Sequence, residues 1–294
     1  MITLDELKKL IYKYYPNDMD EIIDGLASKR KTTLRINNNK SCLEEICSYF
    51  DNKNMNYETS PISNDSIILN ETCNLSLESI YKDGKIYLQS LSSQIPPLFL
   101  DLDNSNDILD MCAAPGGKTC QIASLTRNTK NIMACEANKV RSDKLKYNLN
   151  MQGAKANVMV VDARKLDSFF RFDTILLDAP CSGSGTLRLN NPKDLKNFSL
   201  DLVRNSSKTQ KELLKKALEI LKPGHTMVYS TCSILPLENE DVVRTVLNDN
   251  VVIEPIKIDI DKKYLLNNTL EGTITVKPSE LFEGFYIAKI KKIK

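Results

Sequence analysis

Two cysteines occupy positions at which an α/β sheet keeps reactive groups. Cys181 and Cys232 each follow a short apolar run, 174–177 and 226–230, in the segments Asp-Ala-Pro-Cys-Ser-Gly and Ser-Thr-Cys-Ser. Loops at the carboxyl ends of strands carry the chemistry of open α/β sheets, and a thiolate is a strong nucleophile. The pair therefore indicates covalent catalysis, although most free cysteines are small buried apolar residues.

Four acids lie at the ends of successive apolar runs: Asp110, Glu136, Asp162 and Asp178. The first three are 26 residues apart, a spacing typical of one strand–helix–strand unit. Helix capping explains one or two such acids. Four acids at equivalent ends of successive strands predict a ligand along one edge of a sheet.

A glycine-containing loop over residues 111–119 follows the first of these acids. Cys112 stands where a P-loop needs glycine, and the dinucleotide fingerprint Gly-x-Gly-x-x-Gly is absent from the sequence. Glu136 is placed to bind two ribose hydroxyls. A ribose-binding acid without a phosphate cradle favours an adenosine that lacks phosphates, and S-adenosylmethionine is such a ligand.

The elements that position these residues alternate after Gly84. Five short apolar runs, separated by helical patterns, predict a doubly wound parallel sheet with crossover helices. The runs cover 108–111, 131–135, 157–161, 174–177 and 226–230. Apolar residues at 214, 217, 218 and 221 predict a helix with one buried face, which the segment Lys222-Pro223-Gly224 ends.

The first part of the chain contains short helical and strand patterns. These patterns predict a small α+β domain over 1–82, followed by a catalytic domain over 83–294. Helical patterns cover 4–14, 20–26 and 42–50, and strand patterns cover 32–36 and 66–69. Polar stretches at 37–39 and 51–64 predict loops.

The composition is typical of a globular protein, with 294 residues, 41% hydrophobic, 27% charged and a net charge of +2. The first ten residues predict an amphipathic helix rather than a signal peptide, and no apolar stretch reaches the ~20 residues of a membrane span. Eight cysteines without a secretory signal indicate a reducing compartment, the cytoplasm. His225 is the single histidine and no Cys-x-x-Cys occurs, which argues against a zinc site.

Basic residues are clustered although the net charge is small. The clusters lie at 29–31, 139–146, 208–216 and 289–294. Clustered Lys and Arg either bind phosphates or form solvated helix faces, and the sequence leaves both interpretations open.

Together these motifs resemble the RNA cytosine-5 methyltransferase family of Sun-type, RsmB-like enzymes. The most specific matches are 110–119, 178–183 and 230–240, and further matches cover 33–37, 84–93 and 284–288. His225 stands where the family usually has a second glycine. No RNA-binding appendage follows, so the identity of the RNA stays open.

The resemblance implies a Rossmann-like class I methyltransferase fold with a seven-stranded, mostly parallel sheet. It implies S-adenosylmethionine as cofactor, with Glu136 on the ribose, Asp162 beside the adenine and Arg141 near the pocket. No metal is implied. The implied cofactor contacts are Cys112, Ala113, Ala114, Pro115, Gly116, Gly117, Lys118, Glu136, Arg141, Asp162 and Asp178.

The resemblance also implies a role for each thiol. Cys232 is expected to add to carbon 6 of the cytosine, which makes carbon 5 nucleophilic, and Cys181 is expected to serve in the release step. Asp178 is the expected donor to ring nitrogen 3, with Lys118 as a further catalytic candidate. Backbone amides of 182–185 are expected to lower the pKa of Cys181, whereas the sequence shows no activator for Cys232.

The implied substrate is a cytidine of tRNA or rRNA. It is expected to be single-stranded or flipped out, because the enzyme must reach both faces of the ring. Arg35, the 29–31 cluster and the helix at 208–216 are candidate phosphate contacts, and a monomer is expected. Two alternatives stay open, namely a DNA cytosine-5 methyltransferase and a catalytically silent RNA-binding assembly factor that keeps the fold.

Overall fold

The computed structural model describes residues 2–70 and 74–294. Met1, in the predicted amino-terminal helix, and Cys73, one of the eight cysteines, lie outside the described residues. The elements up to residue 88 are α1 (Leu4–Tyr14), α2 (Met19–Ala27), β1 (Thr32–Ile36), α3 (Leu43–Asn52), β2 (Tyr57–Thr59), β3 (Ser66–Leu69), α4 (Ser79–Lys82) and β4 (Ile86–Leu88).

Four of these strands form a small antiparallel sheet in the order β2–β3–β1–β4. The predicted helices and strands of this part are confirmed to within two residues. The predicted loop at 51–64 is wrong at its centre, where β2 lies. That strand has three half-buried or exposed residues, too few for an alternating pattern to show in the sequence.

Two separate clusters bury most of the apolar residues of this part. One lies between the small sheet and α3 and contains Leu34, Ile36, Ile67, Ile46 and Phe50. The other joins α1 and α2 to the rest of the protein and contains Leu7, Ile11, Ile22, Leu26, Phe198, Val203 and Ile234. A domain boundary at residue 82 stays a prediction; β4, which lies beyond it, pairs with β1.

The second part of the chain alternates strands with helices. Its elements are α5 (Leu91–Gln94), β5 (Asp107–Asp110), α6 (Gly117–Leu125), β6 (Asn131–Cys135), α7 (Lys139–Gln152), β7 (Asn157–Met159), β8 (Phe172–Asp178), α8 (Pro192–Asn197), α9 (Leu200–Ile220), β9 (Leu221–Thr231), α10 (Glu240–Val243), β10 (Val251–Ile253), β11 (Leu265–Leu266), β12 (Ile274–Val276) and β13 (Phe285–Lys292).

The large sheet has nine strands in the order β11–β12–β13–β9–β8–β5–β6–β7, with β10 also paired to β13. The five strands from β9 to β7 are parallel, and β13 joins β9 antiparallel. The expected seven strands become nine because β10 and β11, of three and two residues, extend the antiparallel end. From β5 the chain builds outward through β6 and β7 and then returns to place β8 on the other side of β5. The carboxyl ends of β5 and β8 therefore flank the switch point where such sheets bind ligands.

Alternate residues of the parallel strands face opposite helical layers. One face contributes Leu109, Ile175 and Met227, which cluster with Leu214 and Ala217 of α9. The other face contributes Ile108, Leu176 and Val228, which cluster with Ile122 and Ala123 of α6. Burial on both faces is the reason that these strands read as continuous apolar runs.

The helix α9 ends one residue earlier than its apolar spacing predicts. Leu221 is the first residue of β9 rather than part of the helical face, and it pairs with Phe172. The register then shifts so that Thr174 pairs with Thr226. This irregularity accommodates Pro223 and the positive φ of Gly224 within the strand.

Within the described ranges, no helix is long and apolar enough to cross a bilayer. In the same ranges, no three His, Cys, Asp or Glu side chains form a group that could hold a metal ion.

Candidate active site

All four strand-end acids lie at the carboxyl edge of the large sheet. Asp110 and Asp178 end the neighbouring strands β5 and β8. Glu136 directly follows β6, and Asp162 lies shortly after β7. Two cavities open at this edge, and the Asp178 side chain contributes to both.

The first cavity, here called the acidic cavity, has a volume of about 330 Å³ and is lined by Glu136, Arg141, Asp162, Asp178 and Cys181 among others. The Glu136 carboxylate is almost fully buried and accepts a hydrogen bond from the backbone of Asn138 at 2.8 Å. Its other oxygen lies 3.3 Å from the Arg141 guanidinium. Arg141 also donates to the carbonyl of Ala114 at 2.9 Å, so it ties the glycine-containing loop to Glu136.

The loop residues divide between the two cavities. Cys112 and Ala114 line both cavities. The loop residues that line only the other cavity, and not the acidic cavity, are Ala113, Pro115, Gly117 and Lys118. Gly116 makes the turn into α6 with φ of +111°, where a Cβ atom would lie 3.0 Å from the Leu145 side chain. Glycine at 116 is therefore required by the backbone of the turn.

The residues of the acidic cavity fit S-adenosylmethionine. Carboxylate oxygens carry two lone pairs each, so Glu136 can accept further hydrogen bonds from hydroxyl groups. Val161 and Leu213 supply apolar wall for a flat base, and Asp178 supplies a negative charge that suits a sulfonium. The volume lies within the range of small-ligand sites, roughly 300–1,000 Å³.

The second cavity has a volume of about 390 Å³ and combines aromatic walls with polar groups. Its lining includes Tyr87, Ser93, Lys118, Thr186, Cys232, Glu283 and Phe285. Aromatic faces beside convergent hydrogen-bonding groups suit a flat polar heterocycle. The sequence indicated no role for Tyr87 or Ser93. Both belong to the 84–93 segment, which resembles the RNA cytosine-5 methyltransferase family.

The two cysteines lie in contact. Cys181 follows β8 and Cys232 follows β9, and these strands pair in parallel, with Asp178 opposite Ser230. The sulfur atoms are 2.9 Å apart, and both side chains are partly exposed. Cys232 lines both cavities and Cys181 lines the acidic cavity, so the thiol pair stands where the two cavities meet.

Close backbone packing holds the Cys181 loop in place. The Gly185 amide donates to the carbonyl of Cys232 at 3.0 Å, and the Gly284 amide donates to the carbonyl of Gly185 at 2.8 Å. A Cβ atom on Gly185 would lie 2.1 Å from the Gly284 carbonyl oxygen. The second glycine of Ser-Gly-Ser-Gly is therefore needed for this approach.

Serine hydroxyls connect the loop after Cys181 to the segment after Cys232. The Ser184 hydroxyl lies 2.8 Å from that of Ser233 and accepts a hydrogen bond from the Ile234 amide at 3.0 Å. Both serines are buried, so these bonds are shielded from water. The two cysteine-bearing segments are therefore joined by side chains as well as by backbone.

The pKa of Cys181 is raised well above its ordinary value. The hydrogen bond with Cys232 is the largest cause, followed by burial and by electrostatic interaction with Cys232 and Glu238. The backbone amide of Gly183 lowers the pKa of Cys181. The backbone amide of Ser182 donates its hydrogen bond to Glu238 instead. The expectation of a lowered pKa for Cys181 is therefore wrong, because the raising effects outweigh the one amide that lowers it.

Asp178 is held by two donors at the junction of the cavities. One oxygen accepts from the Lys118 ammonium at 2.7 Å, and the other accepts from the Ser230 hydroxyl at 2.9 Å. Lys118 also donates to the Ser93 hydroxyl at 2.8 Å, and its nitrogen lies 5.2 Å from the centre of the Phe285 ring. The structure thus brings the two catalytic candidates, Lys118 and Asp178, into one ion pair.

Asp110 lies deeper than the other acids. Its side chain is 1% exposed and accepts a hydrogen bond from the Thr119 hydroxyl at 2.7 Å. Burial raises the pKa of Asp110 to about 6. The residue joins the end of β5 to α6 and therefore supports the loop between them.

Arg35 is not available to RNA phosphates in this structure. It is 3% exposed and donates to the Gln89 side chain at 3.3 Å and to the carbonyl of Gly117 at 3.4 Å. The expectation of a phosphate contact is wrong for Arg35. Leu34 and Ile36 pack in the cluster with α3, so the alternation along β1 turns Arg35 to the other face of the small sheet, against the start of α6.

The other basic candidates differ in how far they are already paired. In the 29–31 cluster, Arg30 forms an ion pair with Glu283 at 2.9 Å, and Lys31 forms one with Glu58 at 3.3 Å. On α9, the exposed lysines are Lys208, Lys211 and Lys215. Thr209 and Leu213 of the same helix line the acidic cavity, so α9 places a basic surface beside the site.

Comparison with known protein families gives two matches. A family described as 16S rRNA methyltransferase RsmB/F matches residues 97–291. A ferredoxin-like domain described as RsmF/B-like matches residues 7–76. The two matches cover most of both sheets.

Relatives and solved structures agree with these matches. A tRNA (cytosine(49)-C(5))-methyltransferase of Pyrococcus abyssi is 36% identical over 97% of this chain and 96% of its own length. Ribosomal RNA small subunit methyltransferase F of Shewanella woodyi is 34% identical over 94% of this chain, which spans 60% of that relative. A crystal structure described as a methyltransferase homologue from Pyrococcus horikoshii has a TM-score of 0.84 at 29% identity, covering 97% of this chain and 93% of its own. The predicted fold class is confirmed.

Proposed function

The chain belongs to the RsmB/F family of S-adenosylmethionine-dependent RNA methyltransferases, and from this premise we propose that it methylates carbon 5 of a cytosine in RNA through a covalent cysteine–cytosine intermediate. The observation that carries the covalent step is the contact between Cys181 and Cys232, at 2.9 Å, where the two cavities meet. In this proposal the acidic cavity holds the cofactor and the second cavity holds the base.

Six residues are proposed to hold the cofactor in the acidic cavity. Glu136 binds the ribose, Asp162 lies on the adenine side and Asp178 lies on the sulfonium side. The adjoining wall is formed by Cys112, Ala114 and Arg141. Bound S-adenosylmethionine supplies an electrophilic methyl group. Arg141 keeps the loop and Glu136 in one arrangement through its bonds to both.

Cys232 is proposed to be the nucleophile, because its side chain lines both cavities. Addition of its thiolate to carbon 6 moves electron density to carbon 5, which is otherwise too weak a nucleophile. The raised pKa of Cys181 supports this order of roles. A thiol that keeps its proton can donate a hydrogen bond to the neighbouring thiolate.

Lys118 and Asp178 are proposed to act on ring nitrogen 3 as a pair. The Lys118 ammonium donates a hydrogen bond to Asp178 at 2.7 Å. A proton that Asp178 delivers to ring nitrogen 3 is therefore taken up from Lys118 through this bond. This refines the expectation that Asp178 alone is the donor.

Cys181 is proposed to remove the carbon 5 proton after methyl transfer, directly or through water, so that Cys232 can leave. Bonding of the Cys232 sulfur to carbon 6 removes the hydrogen bond that chiefly raises the pKa of Cys181. Cys181 then releases its proton to water and accepts the carbon 5 proton as a thiolate. Its sulfur lies 2.9 Å from that of Cys232, which supports the proposal that both thiols act on one face of the base.

Trapping experiments test the assignment of the thiols. Cys181→Ala is expected to accumulate a covalent adduct with RNA, and Cys232→Ala is expected to form neither adduct nor methylated product. The readout is a denaturing gel with labelled RNA, together with incorporation of labelled methyl groups. Cys42→Ala, at an exposed cysteine before α3, is the control variant. An adduct formed by Cys232→Ala would overturn the assignment.

The RNA substrate is proposed to be tRNA or rRNA, with the target cytidine single-stranded or flipped out. Residues 1–82 and the basic surface of α9 are proposed to contact its backbone, and 83–294 to form the catalytic domain. A monomer without a bound metal, acting in the cytoplasm, is also proposed. Bisulfite sequencing of total RNA from cells with and without the gene would identify the cytidine.

Matched RNA and DNA oligonucleotides separate the proposal from its alternatives. Methyl transfer to RNA alone is expected. Transfer to DNA alone would favour a DNA methyltransferase. Cofactor binding without transfer to any cellular RNA would favour an assembly factor that keeps the fold.

A further inference from the structure

The carboxylate of Glu238 lies between the two loops that carry the cysteines. Glu238 is fully buried. One of its oxygens accepts from the Ser182 amide at 2.7 Å, and the other accepts from the hydroxyls of Ser182 and Ser233, each at 2.6 Å. Since Ser182 follows Cys181 and Ser233 follows Cys232, one carboxylate binds the residue after each cysteine.

Further bonds fix the position of this carboxylate. Gln210 of α9 donates to Glu238 at 3.4 Å and to the carbonyl of Pro180 at 2.9 Å. Tyr229 of β9 donates its hydroxyl to the backbone carbonyl of Glu238 at 2.6 Å. The network therefore joins α9, β9 and the Cys181 loop at one buried point.

We propose that Glu238 is a positioning residue, whose carboxylate holds the Cys181 loop against the Cys232 loop and thereby keeps the two thiols in contact. Hydrogen bonds to an ionised acceptor are stronger than those between neutral groups. The contact between the thiols is observed in the structure; only its catalytic use rests on the proposed function.

A purely electrostatic role for Glu238 predicts the opposite result. The negative charge of Glu238 contributes to the raised pKa of Cys181. Removing that charge should favour the thiolate and speed thiol chemistry. Losing a positioning bond should separate the sulfur atoms and slow it, so the sign of the change distinguishes the two roles.

Oxidative cross-linking of the full chain measures this contact without RNA or cofactor. Diamide accepts two electrons and two protons from the two thiols and becomes a hydrazine, while a Cys181–Cys232 disulfide forms. The rate is followed by mass spectrometry of the linked peptides. Because disulfide formation needs close and specific geometry, Glu238→Gln is expected to slow it roughly 10-fold, within the range that a displacement of about 1 Å produces in reacting groups.

Glu240→Gln is the matched control. Glu240 is also buried, at 1% exposed, and burial raises its pKa as it raises that of Glu238. In the described part of the chain, its carboxylate makes no hydrogen bond to either cysteine loop. This variant is expected to cross-link at the wild-type rate.

Cross-linking of Glu238→Gln at the wild-type rate, or faster, would overturn the proposal. Circular dichroism establishes whether each variant folds. If Glu238→Gln does not fold, Ser182→Ala removes one donor and keeps the charge; it is expected to slow cross-linking severalfold, and a wild-type rate would overturn the proposal equally.

Methyl transfer provides the second readout. Glu238→Gln is expected to lower kcat while KM for RNA and the affinity for S-adenosylmethionine stay near wild type. If the wild-type protein methylates no RNA, the proposed function fails, whereas the cross-linking rates still decide the role of Glu238.

Discussion

Asp110→Asn should change how the stability of the protein depends on pH. Burial raises the pKa of Asp110 from 3.8 to about 6. Between these values, the folded state holds a proton that the unfolded state has released. The free energy of unfolding therefore falls as the pH rises through this interval. The stabilisation that the Asp110 proton provides is lost above the folded-state pKa.

The magnitude follows from the two pKa values. Their separation corresponds to about 3 kcal/mol at full ionisation. Roughly 1 kcal/mol of this is already lost at a pH of about 4.5, and nearly all of it at a pH of about 7.5. The wild type should therefore lose about 2 kcal/mol relative to Asp110→Asn over that interval.

Urea denaturation of both proteins at the two pH values measures this difference. The amide cannot ionise, and any constant cost of introducing it shifts both measurements equally. Asp249→Asn, at an exposed position, controls for the loss of one negative charge. A difference between wild type and Asp110→Asn that is the same at both pH values would refute the reasoning.

Substitutions at four other positions test contacts around the site. Gly185→Ala should lower the free energy of unfolding by about 3 kcal/mol in urea denaturation, because its Cβ would lie 2.1 Å from the Gly284 oxygen; wild-type stability would contradict this packing. Lys118→Met should lower kcat/KM about 100-fold and leave cofactor binding, measured by calorimetry, unchanged; a change below about 3-fold would exclude a role in proton transfer. Arg35→Leu should destabilise the fold by about 2 kcal/mol and leave unchanged the slope of log RNA affinity against log salt concentration. Lys211→Gln should reduce that slope by about 1. The reverse pattern would contradict the burial of Arg35.

Local patterns were sufficient for the elements that carry the site. The acids at 110, 136, 162 and 178 each end or follow an apolar run, and parallel strands bring such ends to one edge. The count of strands was not predictable, since β10 and β11 are too short to show a period. The inward position of Arg35 was also hidden, because it depends on the packing of one face of the small sheet against the start of α6.

Residue patterns along the chain were enough to predict two thiols after strands, four acids at one sheet edge and a glycine-containing loop without phosphate-binding motifs. Tertiary structure alone decided that Cys181 and Cys232, 51 residues apart, are in contact at 2.9 Å. It also decided that Lys118 pairs with Asp178 and that Glu238 lies between the cysteine loops. The physical reason is that strand register and helix packing set distances between residues that are remote in the chain, whereas periodicity and motifs report only on neighbours along it.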